Sequence, residues 1–248
     1  TFMLHNTFCR RLAALVLTLA VAVSAVLPVF AVYPMPIQTA TETEAVYLFN
    51  ADTGKTLLTQ NADQPRYVAS LTKMMTALLL LESGKDLNGE VTVPTDLTQE
   101  FKDIQNANGT TMGLRIGETV RRIDLLNALL ITSANDAASV IAWDVGGSLN
   151  AFIQQMNARA AELGCTSATF TCAHGLYDYG NVASAEDMAK IAAACAANET
   201  FAQVAGSTTY TLGQTNFHSE QRTISSSNPL MDASGAYYKD SVKWVKGG

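Results

Sequence analysis

The segment 70–83 constrains the fold more than any other part of this 248-residue chain. It is a run rich in leucine, methionine, alanine and threonine that Gly84 closes, and its apolar positions cover almost the whole circumference of a helix. A helix that is apolar on every side has to be surrounded by other elements, because an exposed face would leave apolar surface in water. The sequence therefore predicts a buried central helix here, with Gly84 at its end.

Strands are predicted on both sides of the helical part of the chain. Residues 45–50 and 56–58 favour strands around a turn at Gly54, which indicates a hairpin. Residues 208–211 and 241–246 also have strand-like patterns, far from the hairpin along the chain. This order predicts an α+β fold, in which an antiparallel sheet built from both ends of the chain packs on helices.

A helical lobe is predicted in mid-chain. The helical patterns cover residues 123–131, 136–145, 149–163 and 185–197. The stretch 94–112 is polar and rich in asparagine near its end, which favours an excursion on the surface. The strands at both ends therefore enclose a helical middle, and the sequence contains no internal repeat.

The first 31 residues predict an export signal. Arg10 and Arg11 precede an apolar run over 12–27 that contains no charged residue, and a small-residue cleavage pattern ends at Ala31. A retained membrane anchor is the alternative, because the run approaches the length that spans a bilayer. We predict an exported protein, at the outer face of a bacterial cytoplasmic membrane, with a signal peptide at 1–31, a linker at 32–43 and a catalytic domain at 44–248.

Composition excludes two broad classes of protein. With 48% hydrophobic and 15% charged residues, the chain is not intrinsically disordered. Its formal net charge is −6 and it has no basic runs, so it is a poor candidate for wrapping nucleic acid.

The cysteines and histidines do not form a recognisable metal site. Cys165, Cys172 and Cys195 remain once the signal peptide is removed, and no C-x-x-C spacing exists. A bridge between Cys165 and Cys172 and three free thiols are both compatible with the sequence. The histidines form no H-x-x-x-H pair and neighbour no cysteine pair, so no metal and no cofactor is predicted.

The start of the central helix carries a candidate nucleophile. Ser70-Leu71-Thr72-Lys73 places a hydroxyl and an amine three residues apart, on one face of a helix. Serine is a weak nucleophile until a base is adjacent, and lysine becomes a base when apolar surroundings lower its pKa. A structural reading is the alternative for this common spacing, with Ser70 in the first turn and the Lys73 ammonium reaching solvent.

Two further motifs argue against this structural reading of Ser70 and Lys73. Ser133-Ala134-Asn135 follows the apolar segment 125–131, and Lys246-Gly247-Gly248 follows the last predicted strand. S-x-x-K, S-x-N and K-T-G, in this order, are the motifs of class A β-lactamases and penicillin-binding proteins, with K-G-G here in the third place. The chain resembles the low-molecular-mass penicillin-binding D-alanyl-D-alanine carboxypeptidases of the serine type, peptidase family S11. The resemblance covers 45–248 and rests also on segments 69–78, 124–126, 130–138, 152–157, 163–164, 174–176 and 184–189.

The resemblance implies a β-lactamase/transpeptidase-like fold and a role for each motif. Ser70 would attack the carbonyl between the two terminal D-alanines of a peptidoglycan pentapeptide, and Lys73 would accept its proton. Ser133 would relay a proton to the departing amine, and Asn135 would hold Lys73 and the substrate amide. Lys246, with Gly247, would bind the terminal carboxylate. β-Lactams would acylate the same serine and act as inhibitors.

The chain also departs from the family pattern. Gly247 stands where the family has threonine, which removes a hydroxyl donor to the substrate carboxylate; that loss corresponds to about 1–3 kcal/mol if its partner stays buried and unsatisfied. Cys172 and Ala173 stand where the family often has asparagine and proline, before His174, and we expect them to affect a turn. The chain stops at Gly248, so we expect a C-terminally truncated enzyme with an incomplete sheet and without the family's C-terminal membrane-binding segment. An active and an inactive fragment are both compatible with this expectation.

Three other functions compete with this one. A serine β-lactamase needs a Glu-x-x-Leu-Asn loop, and neither Glu162 nor Glu199 begins one. A Ser-His-Asp hydrolase needs G-x-S-x-G, and the segment 146–150 lacks its final glycine; we expect His174 to be a turn or core residue. A non-catalytic wall-binding homologue is the alternative that Gly247 and the truncation favour, against the presence of both Ser70 and Lys73.

Overall fold

A computed structural model describes residues 43–176 and 178–248 of the chain. The predicted signal peptide and all but the last residue of the predicted linker lie outside the described residues. Within the described ranges, none of the helices combines the length and the apolar character that a membrane crossing requires.

Seven helices form most of the regular secondary structure of the described residues. They are α1 (Thr72–Glu82), α2 (Thr98–Asn106), α3 (Arg122–Ile131), α4 (Asn135–Gly146), α5 (Leu149–Glu162), α6 (Ala185–Ala196) and α7 (Glu199–Ala205). Two short 3-10 turns, at Ala69–Leu71 and Thr95–Leu97, run directly into α1 and α2. The helices predicted at 123–131, 136–145, 149–163 and 185–197 are confirmed as α3 to α6, within one or two residues at each end.

The predicted central helix is α1, and it is buried on nearly every side. Met75 and Ala77 are completely inaccessible, and only Leu79, Leu81 and Glu82 reach partial exposure or more. Helices α3, α4, α5, α6 and α7 all pack against it. Gly84 follows with a φ of +71°, in the left-handed region that ends a helix and that glycine enters without strain. The motif at 70–73 therefore begins a helix that five other helices surround.

The strands pair in antiparallel fashion throughout the described residues. They are β1 (Val46–Phe49), β2 (Thr56–Gln60), β3 (Arg66–Tyr67), β4 (Glu90–Thr92), β5 (Thr119–Arg121), β6 (Val182–Ala183), β7 (Thr209–Leu212) and β8 (Arg222–Ser225). They form four two-stranded sheets, β1–β2, β3–β6, β4–β5 and β7–β8. The α+β class and the hairpin around Gly54 are confirmed, whereas β1 does not pair with residues from the far end of the chain.

The prediction of a strand at 241–246 is wrong. This segment has no regular secondary structure, and no described strand pairs with its backbone. A strand needs a neighbour for its backbone N–H and C=O groups, and a local pattern of side chains does not supply one. The segment is held instead by side chains, because Trp244 packs edge-on against Phe201 of α7 with ring centroids 5.2 Å apart.

The surface excursion predicted at 94–112 is also wrong in part, since this stretch contains α2. The helix is polar overall, but Leu97 and Ile104 are almost completely buried and Phe101 packs against the core. These residues recur at the i, i+4 and i+7 spacing of one helix face. That narrow apolar stripe fixes α2 against α4 and turns Glu100, which lies between its members, towards the interior.

Candidate active site

Lys73 lies at the centre of the three sequence motifs. Its side chain is completely buried, and its Nζ lies 3.1 Å from Ser70 Oγ, 2.8 Å from Asn135 Oδ1 and 2.6 Å from the His174 carbonyl oxygen. The amide oxygen and the carbonyl oxygen only accept hydrogen bonds, so each takes one N–H of the amine. A neutral amine has two N–H groups and one lone pair, which leaves the lone pair facing the Ser70 hydroxyl.

The surroundings of Lys73 favour that neutral amine. Burial, and then the charge of Lys246, lower its pKa from the ordinary value of 10.5 to about 7, against smaller opposing effects of Cys172 and Asp136. An amine of this pKa exchanges its proton near neutral pH, as a general base must. The structure thus brings together the nucleophile and the base that the S-x-x-K spacing predicts.

Ser133 and Lys246 form the opposite side of the site. Ser133 lies in the connection between α3 and α4, with a φ of +61°, which is strained for a residue other than glycine. Lys246 Nζ donates to Ser133 Oγ at 3.1 Å and to the carbonyl oxygen of Gly247 at 2.6 Å. Burial lowers the pKa of Lys246 to about 8. The two residues that the resemblance assigns to proton relay and carboxylate binding are therefore in direct contact.

An open cleft joins these groups. It has a volume of about 430 Å³, and its lining includes Ser70, Thr110, Ser133, Asn228, Lys246 and Gly247. Asn135 lies behind it, buried, and its Nδ2 donates to the Thr110 carbonyl oxygen at 3.0 Å. The space around Gly247 is empty, since a Cβ added there would have no neighbour within 4 Å. All six predicted site residues thus converge on one cleft or on the lysine beneath it.

The His174 segment contributes more than the sequence predicted. His174 is buried, as expected for a core residue, but its carbonyl oxygen is the shortest contact of Lys73. Gly175 follows with a φ of +79°, and a Cβ added to it would lie 1.8 Å from the carbonyl oxygen of Ala69. The backbone before the nucleophile therefore rests directly on the backbone of this loop, which only glycine permits.

Glu100 binds the ring of His174 and the hydroxyl of Ser139, and sequence reasoning missed it. Its Oε1 lies 3.0 Å from His174 Nε2 and accepts from Ser139 Oγ at 2.9 Å. Ser139 lies one helical turn after Asn135 in α4. The hydrogen bond with His174 holds the pKa of the Glu100 carboxyl below its usual value, so the group stays an acceptor. The apolar stripe of α2 is the sequence signal from which the inward orientation of Glu100 could have been predicted.

The cysteines are free thiols in the described structure. Cys165 and Cys172 are partly buried, Cys195 is buried, and no disulfide joins them. The described residues also contain no group of three or more His, Cys, Asp or Glu side chains arranged to hold a metal ion. The arrangement at Ser70 is that of acyl transfer through a serine, with a lysine base and a second lysine for an anionic group.

Comparison with known proteins agrees with this geometry. The family model described as D-alanyl-D-alanine carboxypeptidase, peptidase S11, matches residues 34–242. The D-alanyl-D-alanine carboxypeptidase DacF of Bacillus subtilis is 33% identical over 153 residues, which is 62% of this chain and 39% of that protein. A D-alanyl-D-alanine endopeptidase of Pseudomonas aeruginosa is 32% identical over 175 residues, 71% of this chain and 54% of that protein.

A solved structure supports the same assignment. The DD-transpeptidase of Streptomyces K15 superposes with a TM-score of 0.69 at 30% identity, over 76% of this chain and 74% of that one. The chain spans only about half the length, or less, of the two curated relatives described above. Because the family model matches most of the sequence, the chain belongs to the peptidase S11 family of D-alanyl-D-alanine carboxypeptidases.

Proposed function

We propose that this protein is an exported serine peptidase that removes the terminal D-alanine from peptidoglycan stem peptides. The observation that carries the proposal is the position of Lys73 Nζ, buried between Ser70 Oγ and two pure acceptors, with a pKa lowered to about 7. An amine so placed has its lone pair directed at one hydroxyl only. The family and its wall-directed relatives supply the substrate class, a peptide ending in D-Ala-D-Ala.

The reaction begins with transfer of the Ser70 proton to Lys73. Ser70 Oγ attacks the carbonyl carbon between the two D-alanines, and the Ser70 N–H, at the start of α1, faces the developing oxyanion. Lys246 lies beside Ser133 in the cleft, and its charged form binds the terminal carboxylate. Ser133 Oγ gives its proton to the departing amine and takes up the proton that Lys73 received from Ser70, so that D-alanine leaves and Lys73 is neutral again. Water then hydrolyses the ester on Ser70, and Lys73 again serves as the base.

Covalent labelling tests this function directly. The protein should be labelled by a fluorescent penicillin, Ser70→Ala protein should not, and the unsubstituted protein should release D-alanine from a pentapeptide ending in D-Ala-D-Ala. Folded protein whose Ser70 is never acylated would favour a non-catalytic wall-binding homologue. Labelling without D-alanine release, but with cleavage of cross-linked peptides, would favour the endopeptidase activity named for the Pseudomonas relative.

The acylation rate should depend on pH through the two lysines. Lys73 acts as a base only without its proton, so the rate should rise as the pH passes about 7. Lys246 binds a carboxylate only with its proton, so the rate should fall as the pH passes about 8. The measurement is the second-order rate constant of penicillin acylation on either side of both values. An acylating ester without a carboxylate is the control. With this ester, the rate should still rise with pH through the pKa of Lys73 but should not fall through the pKa of Lys246.

Glu100 should act as a positioning residue for Lys73. Glu100→Ala removes the acceptor shared by His174 and Ser139, and we expect about 10²-fold slower acylation together with a displaced acidic limb of the pH profile. Glu100→Gln retains an acceptor oxygen and should restore most of the rate. Asp96→Ala, at an exposed position in the turn before α2, is the matched control. Equal losses in the alanine and glutamine variants, or in the control, would contradict this role.

A further inference from the structure

Lys246 alone has too few hydrogen-bond donors for an incoming carboxylate. Within the described part of the chain, it is the only charged residue that lines the Ser70 cleft. Its ammonium group has three N–H groups, of which one is directed to Ser133 Oγ at 3.1 Å and one to the Gly247 carbonyl oxygen at 2.6 Å. A single N–H is left for a ligand. A carboxylate has two oxygens with about four lone-pair sites, so its binding here requires further donors.

The neighbouring side-chain positions add little to this single N–H. Gly247 has no side chain, and the space where one would begin is empty within 4 Å. Ser133 Oγ is in contact with Lys246, and the proposed reaction uses its proton for the departing amine. The Thr132 hydroxyl donates to the Ala128 carbonyl oxygen at 2.9 Å, which occupies its proton as well. A further donor is therefore expected from residues outside the three sequence motifs.

Asn228 holds a side-chain amide in this cleft in a fixed orientation. Its backbone N–H donates to Ser226 Oγ at 3.2 Å, and its Oδ1 accepts the Leu230 N–H at 3.0 Å. Because Oδ1 is held by Leu230, Nδ2 faces away from that backbone. Nδ2 makes no hydrogen bond within the described residues and is not one of the buried atoms that lack a partner, so it reaches solvent. Its two N–H groups are available to a ligand in the cleft that Asn228 lines.

One turn, directly after α7, contacts both segments that bring these groups to the cleft. In the segment before Asn228, the Ser226 N–H donates to the Thr208 carbonyl oxygen at 2.7 Å. In the segment before the cleft lysine, the Lys243 carbonyl oxygen would lie 2.7 Å from a Cβ added to Gly206. From this shared turn, both segments continue into the lining of the same cleft. The amide and the ammonium group are thus supported by one part of the fold.

We propose that Asn228 is a specificity-determining residue of this peptidase, whose Nδ2 donates a hydrogen bond to the terminal carboxylate of the substrate while Lys246 binds the same group. The inference rests on the proposed function, since this carboxylate is that of the terminal D-alanine. A hydrogen bond to a charged acceptor is stronger than one between neutral groups. A terminal carboxamide has no charge, and it replaces one acceptor oxygen by a donor. Asn228 should therefore favour the acid over the amide.

Two peptides that differ only at their ends test this contact in turnover. One ends in D-Ala-D-Ala and the other in D-Ala-D-alaninamide, and the measured quantity is the ratio of their kcat/KM values. Asn228→Ala should lower this ratio by about 10- to 100-fold. Asn228→Asp keeps an acceptor for the Leu230 N–H but adds a negative charge, and it should lower the ratio further. Asn88→Asp, at an exposed asparagine outside the cleft lining, is the matched control and should leave the ratio unchanged.

A substitution at position 247 supplies a second criterion. Gly247→Thr has room for its side chain, because an added Cβ meets no atom within 4 Å. Its hydroxyl would give the carboxylate an alternative donor, so the double variant Asn228→Ala/Gly247→Thr should recover most of the lost ratio. A purely structural role of Asn228 predicts no such recovery. An unchanged ratio in Asn228→Ala protein, equal losses for acid and amide, or a double variant that recovers nothing would overturn the proposal.

Binding to protein that cannot be acylated separates this inference from the proposed function. In Ser70→Ala protein, N-acetyl-D-alanyl-D-alanine should shift the side-chain NH2 resonances of Asn228 in NMR spectra, and its C-terminal amide should shift them much less. Affinity for the acid should fall about tenfold or more when Asn228→Ala is added. Unshifted Asn228 resonances, or no binding of the acid, would overturn the inference. Shifted resonances in a protein whose unsubstituted form never releases D-alanine would disprove the proposed function and support the carboxylate contact.

Discussion

Replacing Lys73 by methionine should slow the acylation of Ser70 by about 10²- to 10⁴-fold. Methionine keeps an unbranched side chain of similar length in the same apolar surroundings, but it has no atom that can accept the Ser70 proton. Ser70 then remains a weak nucleophile although its position is unchanged. The rate constant for labelling by fluorescent penicillin measures the effect, and circular dichroism shows whether the variant is folded.

Lys102→Met is the matched control, because Lys102 is an exposed lysine of α2. It should acylate at the rate of the unsubstituted protein. The pH profile of the Lys73→Met protein adds a second criterion, since its residual rate should no longer rise as the pH passes about 7. A folded Lys73→Met protein that is labelled at an undiminished rate would show that another group takes the serine proton.

Replacing Gly175 by alanine should both destabilise the protein and remove acylation. The added Cβ would lie 1.8 Å from the Ala69 carbonyl oxygen. Side-chain rotation cannot relieve this contact, because the positions of both atoms are fixed by the backbone. The left-handed backbone strain and the overpacking together predict a loss of about 2–5 kcal/mol in the free energy of unfolding. Either the loop or the turn that carries Ser70 has to move. Movement of the loop withdraws the His174 carbonyl oxygen from Lys73 Nζ, and movement of the turn displaces Ser70 Oγ from it.

Gly84→Ala separates the two causes. Gly84 has a similar φ of +71°, but a Cβ added there meets no atom within 4 Å. This variant should show only the left-handed strain, about 1–2 kcal/mol, and should acylate normally. Urea unfolding gives the free energies and penicillin labelling gives the rates. Similar losses of acylation in both variants would mean that the contact with Ala69 does not position the nucleophile.

The parts of the fold that the sequence predicts are those with a strong periodic signal. Helix α1 is predicted because its residues are apolar on every face, and Gly84 marks its end. Helix α2 escapes prediction because only Leu97, Phe101 and Ile104 carry its apolar stripe, within a polar segment. The segment 241–246 has the side-chain pattern of a strand, but a strand also depends on a partner that the local sequence does not reveal.

In the candidate site too, some contacts could be predicted from the local sequence and others could not. The spacing of Ser70 and Lys73 predicts their contact, because residues three apart share a helix face. That Asn135 and Lys246 reach the same place follows from the family resemblance and from no local rule. The His174 carbonyl oxygen could not be predicted, since every residue has a backbone oxygen and only the packing of Gly175 against Ala69 aims this one at Lys73. Glu100 depends in turn on that loop.

Two non-glycine residues with left-handed backbones, Ala69 and Ser133, with φ of +45° and +61°, flank the reacting groups from opposite sides. Each such residue costs about 1–3 kcal/mol that the remaining packing has to offset. Selection of variants for heat resistance alone should therefore accumulate glycine or asparagine at these two positions early. A relaxed backbone at 69 would hold the Ser70 hydroxyl less firmly, and glycine or asparagine at 133 would remove the Ser133 hydroxyl, so more heat-resistant variants of this kind should turn over substrate more slowly.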